Sequence, residues 1–262
     1  MFIEERHRAI LELLDQKGRI TTGEMQELFG ISYDSAKRDL RILEEKGLLK
    51  RTHGGAIQMH SVGWSGQTHE KTGRERAENV KENYLDIAVR AIEEIGSQEV
   101  IYLTAASVGY LMAQNMPDDK IITVVTNSIA IAEELRKKRN ITVILSGGEM
   151  SANGSFYDGF SMDILKRFHY DKCFITSACI SVKAGISVQR SNNVELLNNV
   201  IKNSRKVYGL YPVEKIGMDS VITVCGLDSL DVLITDGEAA EKDLQEFRDA
   251  GVAVIVAGGV RE

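Results

Sequence analysis

The chain has 262 residues, 43% of them hydrophobic and 27% charged, with a formal net charge of −6. That length and apolar content suit one small and one medium domain with real cores, and the acidic balance excludes a protein that works through nucleic acid along its whole length. Residues 1–60 hold ten acidic and ten basic side chains, so the deficit lies entirely in the remainder. A neutral N-terminal part with a locally basic face, joined to an acidic remainder, is consistent with these numbers.

The first residues, Met1-Phe2-Ile3-Glu4-Glu5-Arg6, contain no apolar run, so neither a signal peptide nor a membrane span is expected and a cytoplasmic protein is. Cys173, Cys179 and Cys225 make no Cys-x-x-Cys pair and read as reduced thiols. His53, His60 and His69 share no helical face, so no metal site and no cofactor are expected.

In chain order, Ile10, Leu13 and Leu14 mark an amphipathic helix over about residues 4–17, which Gly18 stops. Thr21 or Thr22 can cap a second helix carrying Met25 and Leu28, and Phe29-Gly30-Ile31 supplies a turn. Ser32 can cap a third helix. At 100° per residue Ala36, Leu40 and Leu43 form one stripe, with Tyr33, Asp34, Lys37, Arg38 and Arg41 opposite. Solvent alone accounts for a charged helix face. The residues that follow change the balance: Leu48 and Leu49 open a strand, Lys50, Arg51 and His53 offer donors, and Gly54-Gly55 permit positive φ and close backbone approach. A helix for the major groove followed by a basic hairpin for the phosphates is the winged helix-turn-helix layout.

Residues 58–80 are polar, with Gly63, Gly66 and Gly73 and many charges, and read as a linker that also holds Trp64. The expected division is therefore 1–57 for the winged helix-turn-helix, 58–82 for the linker and 83–262 for a larger second domain, to which the features below assign effector sensing and oligomerisation.

Beyond it, Leu85, Ala88, Val89, Ile92 and Ile95 predict a helix. Apolar strands at 100–103, 121–125, 141–145, 173–175, 207–210, 221–224, 232–234 and 252–256 then alternate with helices over 107–116, 128–139, 191–204 and 239–250. That alternation predicts an α/β, Rossmann-like domain whose parallel sheet is covered on both faces. No internal repeat is present. Ligands of such sheets bind outside the carboxyl ends of the strands. Three loops fall there: Thr104-Ala105-Ala106-Ser107, Thr126-Asn127-Ser128 and Ser146-Gly147-Gly148-Glu149. The first two run into helices, whose free N–H groups favour an anion. Helix capping by the same Ser, Thr and Asn side chains is the competing explanation.

Residues 3–57 resemble the DNA-binding domain of the DeoR family of bacterial transcription regulators, with its Ser-x-x-Thr-hydrophobic-Arg-Arg-Asp-Leu helix and Arg-x-His-Gly-Gly-Ala wing. Here Ser35 stands for Thr and Lys37 for the first Arg, while the wing at 51–56 is intact. Lys lacks the bidentate fork that Arg presents to guanine, which implies an altered operator. Residues 83–258 resemble the sugar-phosphate sensor domain of the same family, similar in fold to ribose-5-phosphate isomerases and CoA transferases. The shared marks are Thr126-Asn127-Ser128, Gly147-Gly148, Gly159, Asp171-Lys172-Cys173-Phe174, Gly185-Ile186, Lys215 and Ile234-Thr235-Asp236. The family's phosphate loop, Asp-Ser-Gly-Thr-Thr, is here Thr104-Ala105-Ala106-Ser107-Val108, its Asp-x-x-Lys is Pro212-Val213-Glu214-Lys215, and a family Glu is replaced by Asn193.

The resemblance implies a repressor of carbohydrate-catabolism genes that binds a double-stranded DNA operator and answers to a small phosphorylated metabolite. DNA is expected at Ser32, Tyr33, Asp34, Lys37, Arg38, Arg41, Arg51 and His53. The effector is expected at Thr104, Ala105, Ala106, Ser107, Thr126, Asn127, Gly147, Gly148 and Lys215. A homodimer or homotetramer follows from the need to double the DNA contacts. Two alternatives stand beside this reading. One is a sugar-phosphate isomerase, although Thr176-Ser177-Ala178-Cys179-Ile180 offers no carboxylate where related isomerases carry acids. The other is a DNA-binding protein whose C-terminal domain is silent to ligands.

Overall fold

A computed structural model describes residues 3–17, 19–45, 49–52, 54–58 and 71–258. The chain divides into two compact units, Met1–Trp64 and Ser65–Glu262.

The first unit runs α1 (Ile3–Lys17), β1 (Arg19–Thr21), α2 (Thr22–Phe29), α3 (Tyr33–Glu45), β2 (Leu49–Thr52) and β3 (Gly55–Gln58). Strand β3 pairs antiparallel with both β1 and β2, which makes a three-stranded sheet. Thr21 caps α2 in a reciprocal box with Glu24: the Thr21 hydroxyl accepts from the Glu24 N–H, and the Glu24 carboxylate accepts from the Thr21 N–H. Gly30, at φ 62°, ends that helix in the left-handed conformation that glycine adopts freely. The core is Ile10, Leu14, Ile20, Met25, Ala36, Leu40, Leu43, Leu49 and Ala56. The apolar stripe predicted for α3 is thus the buried one, whereas Leu28 of α2 is exposed. Gly55 is required for space and not for positive φ. A Cβ there would sit 2.0 Å from the Ile20 carbonyl oxygen, so glycine is what lets β3 lie against β1.

The second unit runs α4 (Gly73–Ala77), α5 (Asn83–Glu93), β4 (Val100–Leu103), α6 (Ser107–Asn115), β5 (Ile122–Thr126), α7 (Ile129–Leu135) and β6 (Ile141–Leu145). It continues through α8 (Gly159–Leu165), β7 (Lys172–Ile175), β8 (Cys179–Ser181), β9 (Gly185–Val188), α9 (Asn192–Lys202) and β10 (Val207–Leu210). It closes with β11 (Ile222–Cys225), β12 (Val232–Asp236), α10 (Glu241–Asp249) and β13 (Ala253–Ala257). Seven strands form a parallel sheet in the order β13-β12-β10-β7-β4-β5-β6. Side chains alternate across it: Ile101 and Leu103 enter the core under α5, α6 and α7, and Tyr102 enters the core under α8, α9 and α10. From β4 the chain moves first toward β5 and β6, then returns to β7 on the opposite side, so the switch point lies between β4 and β7.

Three features depart from the sequence expectations. The apolar run at 221–224 forms β11, which joins β8 and β9 in a separate antiparallel sheet; an apolar run reports burial and does not name the partner strand. Helix α5 buries Ile87, Ala88, Ala91 and Ile92 and leaves Val89 exposed. The span expected to be linker contains α4, held by a Thr72–Glu75 capping box, with Gly73 buried against Ala106 and Tyr110. No helix among the described residues is long and apolar enough to cross a membrane.

Candidate DNA interface and candidate effector site

Helix α3 begins at Ser32, whose hydroxyl accepts from the Ser35 N–H at 3.2 Å. Tyr33, Asp34, Lys37, Arg38 and Arg41 are all exposed, as the helical period requires once Ala36, Leu40 and Leu43 are buried. Tyr33 and Lys37, one turn apart, interact directly: the Lys37 ammonium stands 4.5 Å from the centre of the Tyr33 ring. Asp39 of the same helix faces inward and is 2% exposed. Its carboxylate accepts from Arg6 Nε at 2.7 Å and Nη2 at 3.2 Å, and it lies 3.2 Å from His7 Nε2. The Asp39 hydrogen bond raises the Arg6 pKa against the opposing effect of burial. Asp39 therefore fastens α1 to α3.

The wing is tied to the body at two places. The Gly54 carbonyl accepts from both the N–H and the hydroxyl of Thr22, and Arg51 is bound to Glu44 of α3. The Arg51 backbone N–H donates to Glu44 Oε1 at 2.8 Å, and Arg51 Nε donates to Glu44 Oε2 at 2.7 Å. His53 lies outside the described residues.

In the second unit, the loops at the carboxyl edge of the sheet differ in kind. After β5, Thr126 and Asn127 are buried with their polar atoms committed. The Thr126 hydroxyl donates to the Leu103 carbonyl and accepts from the Ser128 N–H. Asn127 accepts from the Tyr102 hydroxyl at 2.8 Å and donates to the Phe156 carbonyl at 3.0 Å. After β6, Gly147 and Gly148 take φ of 67° and 109°. A Cβ on Gly148 would meet the Asp158 carboxylate at 2.2 Å, so that loop lies against an acid. Of the predicted residues, Thr126 and Asn127 thus have side chains hydrogen-bonded within the fold, and Gly147 and Gly148 shape their loop through positive φ.

The loops beside the switch point are otherwise. Thr104 donates its N–H to the Phe174 carbonyl at 3.1 Å, and Ala106 adopts an ordinary extended conformation, φ −138°, at the N-cap of α6. No side chain caps that helix, and Gly109 lets it sit on the Thr104 carbonyl, where a Cβ would fall at 2.1 Å. Two cations meet here. Arg76 of α4 donates to the Ala105 carbonyl at 3.3 Å. Lys215, after β10, donates to the Ser177 carbonyl at 3.1 Å and lies 3.4 Å from the Thr176 hydroxyl, with its ammonium 5.8 Å from the Tyr84 ring centre. Neither forms an ion pair among the described residues. Burial lowers the Lys215 pKa to about 8; Glu214 opposes that shift and the charge of Arg76 adds to it. Beside them Asp236 is enclosed, accepting from the N–H groups of Val213 and Glu238 and from the Asn83 amide.

Sequence reasoning placed Thr104–Ser107 and Lys215 here and missed Arg76. The available signal was Thr72-x-x-Glu75, a capping box inside a stretch that looked like linker.

A winged helix-turn-helix unit joined in one chain to a Rossmann-like unit defines a two-domain, DNA-binding transcription regulator. A model of the DeoR-like helix-turn-helix domain matches residues 6–62, and a model of the DeoR C terminal sensor domain matches residues 79–237. The chain belongs to the DeoR family. It is 29% identical to the HTH-type transcriptional regulator GolR of Listeria innocua, over 98% of this chain and 100% of that protein. It is 32% identical to the HTH-type transcriptional repressor GlcR of Bacillus subtilis, over 90% of this chain and 89% of that protein. It is 26% identical to the glycerol-3-phosphate regulon repressor of Escherichia coli, over 94% and 95%. Among solved structures, ribose 5-phosphate isomerase A of Methanocaldococcus jannaschii aligns with 52% of this chain and 54% of its own, at 12% identity and a TM-score of 0.37, a likeness that carries no argument about chemistry.

Proposed function

We propose that this regulator represses carbohydrate-catabolism genes and is controlled by a small phosphorylated sugar or related metabolite. Its reader inserts α3 into the major groove of a double-stranded operator, with Tyr33, Asp34, Lys37, Arg38 and Arg41 toward the bases and Ser32, Arg51 and His53 toward the backbone. Its sensor takes the anion at the amino end of α6. The observation that carries this reading is the pair Arg76 and Lys215, neither in an ion pair among the described residues, beside a helix start that no side chain caps. An uncapped helix start with nearby cations favours an anion. Names such as GlcR and glycerol-3-phosphate regulon repressor support a carbohydrate setting.

The site binds without turning its ligand over. Isomerisation needs a carboxylate placed to move a proton between carbons; of the two acids here, the enclosed Asp236 already accepts two backbone N–H groups and the Asn83 amide, and Glu214 also accepts from Asn83. The sensor unit also carries the homodimer or homotetramer contacts, because the reader has little apolar surface to share.

Calorimetric titration of the full chain with a panel of sugar phosphates and the matching free sugars tests the ligand class. The expected result is binding of a phosphorylated member, no binding of its free sugar, and loss of binding in both Arg76→Ala and Lys215→Ala. Unchanged binding in both variants would place the anion elsewhere.

A further inference from the structure

Arg51 stands on β2, an edge strand whose one partner among the described residues is β3. Its outward N–H and its Nε both end on the carboxylate of Glu44, one oxygen each. Helix stability does not explain an acid at that place. Glu44 sits in the last turn of α3, where the helix dipole disfavours negative charge. Nor does a partly exposed ion pair add much to stability; the Arg51 and Glu44 side chains are 41% and 35% exposed, and such pairs are weak in water. What the arrangement does is geometric. It satisfies the edge N–H of β2, binds wing to recognition helix, and uses the inner donor of the guanidinium. Among the described residues the outer groups, Nη1 and Nη2, carry no partner.

We infer that Glu44 is a positioning residue for DNA binding: it holds Arg51 by Nε and the backbone N–H so that both Nη groups are presented to a backbone phosphate. The inference rests on the reading that Arg51 of the wing meets DNA. It predicts an effect opposite in sign to simple electrostatics. A carboxylate close to a polyanion repels it, so deleting Glu44 should tighten binding if charge alone mattered. If Glu44 positions Arg51, deleting it weakens binding.

The test uses the full chain and a duplex of mixed sequence, with fluorescence anisotropy over a range of salt concentrations. Arg51→Ala is expected to lower affinity by roughly fivefold at physiological salt and to reduce the salt slope by about one. Glu44→Ala is expected to lower it by a smaller factor, and Glu44→Ala with Arg51→Ala to be no weaker than Arg51→Ala alone, since both changes remove one interaction. Glu44→Gln keeps an acceptor for the backbone N–H without the charge, and it should lie between wild type and Glu44→Ala; it reads the same sign if the alanine variant does not fold. An Arg51→Ala variant that binds like wild type would overturn the DNA reading of the wing itself. Loss in Arg51→Ala together with unchanged or tighter binding in Glu44→Gln would overturn the role of Glu44 and leave that reading intact.

Discussion

The two units of this chain place their charges in opposite ways. In the reader Lys37, Arg38, Arg41 and Arg51 are on the surface, and a buried carboxylate, Asp39, is matched by Arg6 and His7. In the sensor the cations beside the switch point are partly buried and form no ion pair among the described residues. Each pattern suits its ligand. A duplex offers many phosphates in water, so exposed cations act through counterion release and are sensitive to salt. A single small anion has to compensate its own desolvation, so the cations that meet it are partly withdrawn from solvent, and burial makes the charge of Lys215 sensitive to pH. The same two residue types, Lys and Arg, thus suit different partners according to burial.

The largest effect should come from breaking the buried pair in the reader. Asp39→Ala leaves two cation-capable groups without their acceptor, and removing one partner of a buried pair costs about 3–5 kcal/mol. A domain of this size has little more stability than that. Hydrogen exchange should show the amides of α1 to α3 unprotected while those of the parallel sheet are unchanged. Retained protection in α3 would mean that Asp39 does not fasten α1.

Next in size is the loss of a sensor cation. Lys215→Ala should weaken effector binding by about 2–5 kcal/mol, the range for truncating one member of a desolvated charge pair, with DNA affinity in the absence of effector unchanged. Equal losses at both sites would instead indicate a folding defect.

Replacing a reading residue should cost less. Arg38→Ala is expected to lose about 1–3 kcal/mol on a selected operator and much less on mixed-sequence DNA. A parallel series at Lys37 sharpens the picture, because the Lys37 ammonium lies over the Tyr33 ring. If that contact orients Lys37, Tyr33→Phe should bind as wild type and Tyr33→Ala should behave like Lys37→Ala. Equal losses on operator and mixed DNA for Arg38→Ala would remove its base-reading role.

The smallest expected effect is one of pH. Burial lowers the Lys215 pKa to about 8, so in the free protein its ammonium is charged below that pH and loses its proton above it. An anion prefers the charged form, and binding therefore takes up a proton at alkaline pH. Effector affinity should be flat from about pH 6.5, where a phosphate monoester is largely dianionic, to near 8, then fall by up to about tenfold per pH unit. DNA affinity of the effector-free protein should not share that break. An effector profile flat through pH 9 would place Lys215 away from the anion.

The reader was largely legible because its signals are local. Ser32 to Leu43 show cap, buried stripe and exposed face within one helix, and the wing follows at once. Asp39 was not legible as a fastener, since its partners Arg6 and His7 lie more than thirty positions away and nothing in the local pattern separates it from the outward charges. The strands of the sensor were legible as apolar runs, but β11 was assigned to the wrong sheet because strand pairing is not written in hydrophobicity. The inward hydrogen bonds of Thr126 and Asn127 were not legible: a polar side chain at a strand end can satisfy its neighbours or a guest, and only the fold shows Leu103, Tyr102 and Phe156 beside them. Arg76 was hidden by the polar composition around α4.

The central claim, that an anion seated between Arg76, Lys215 and the start of α6 changes the grip of the reader on DNA, is tested most directly by linkage. The full chain is bound to a duplex selected from a random library, and the complex is titrated with sugar phosphates at constant pH and salt. The account predicts that a phosphorylated sugar shifts the DNA-binding curve, a tenfold change corresponding to about 1.4 kcal/mol of coupling, that its free sugar does not, and that Lys215→Ala binds DNA normally and ignores both. A Lys215→Ala variant that responds like the wild type, or a DNA-binding curve that no phosphorylated sugar moves, would contradict it.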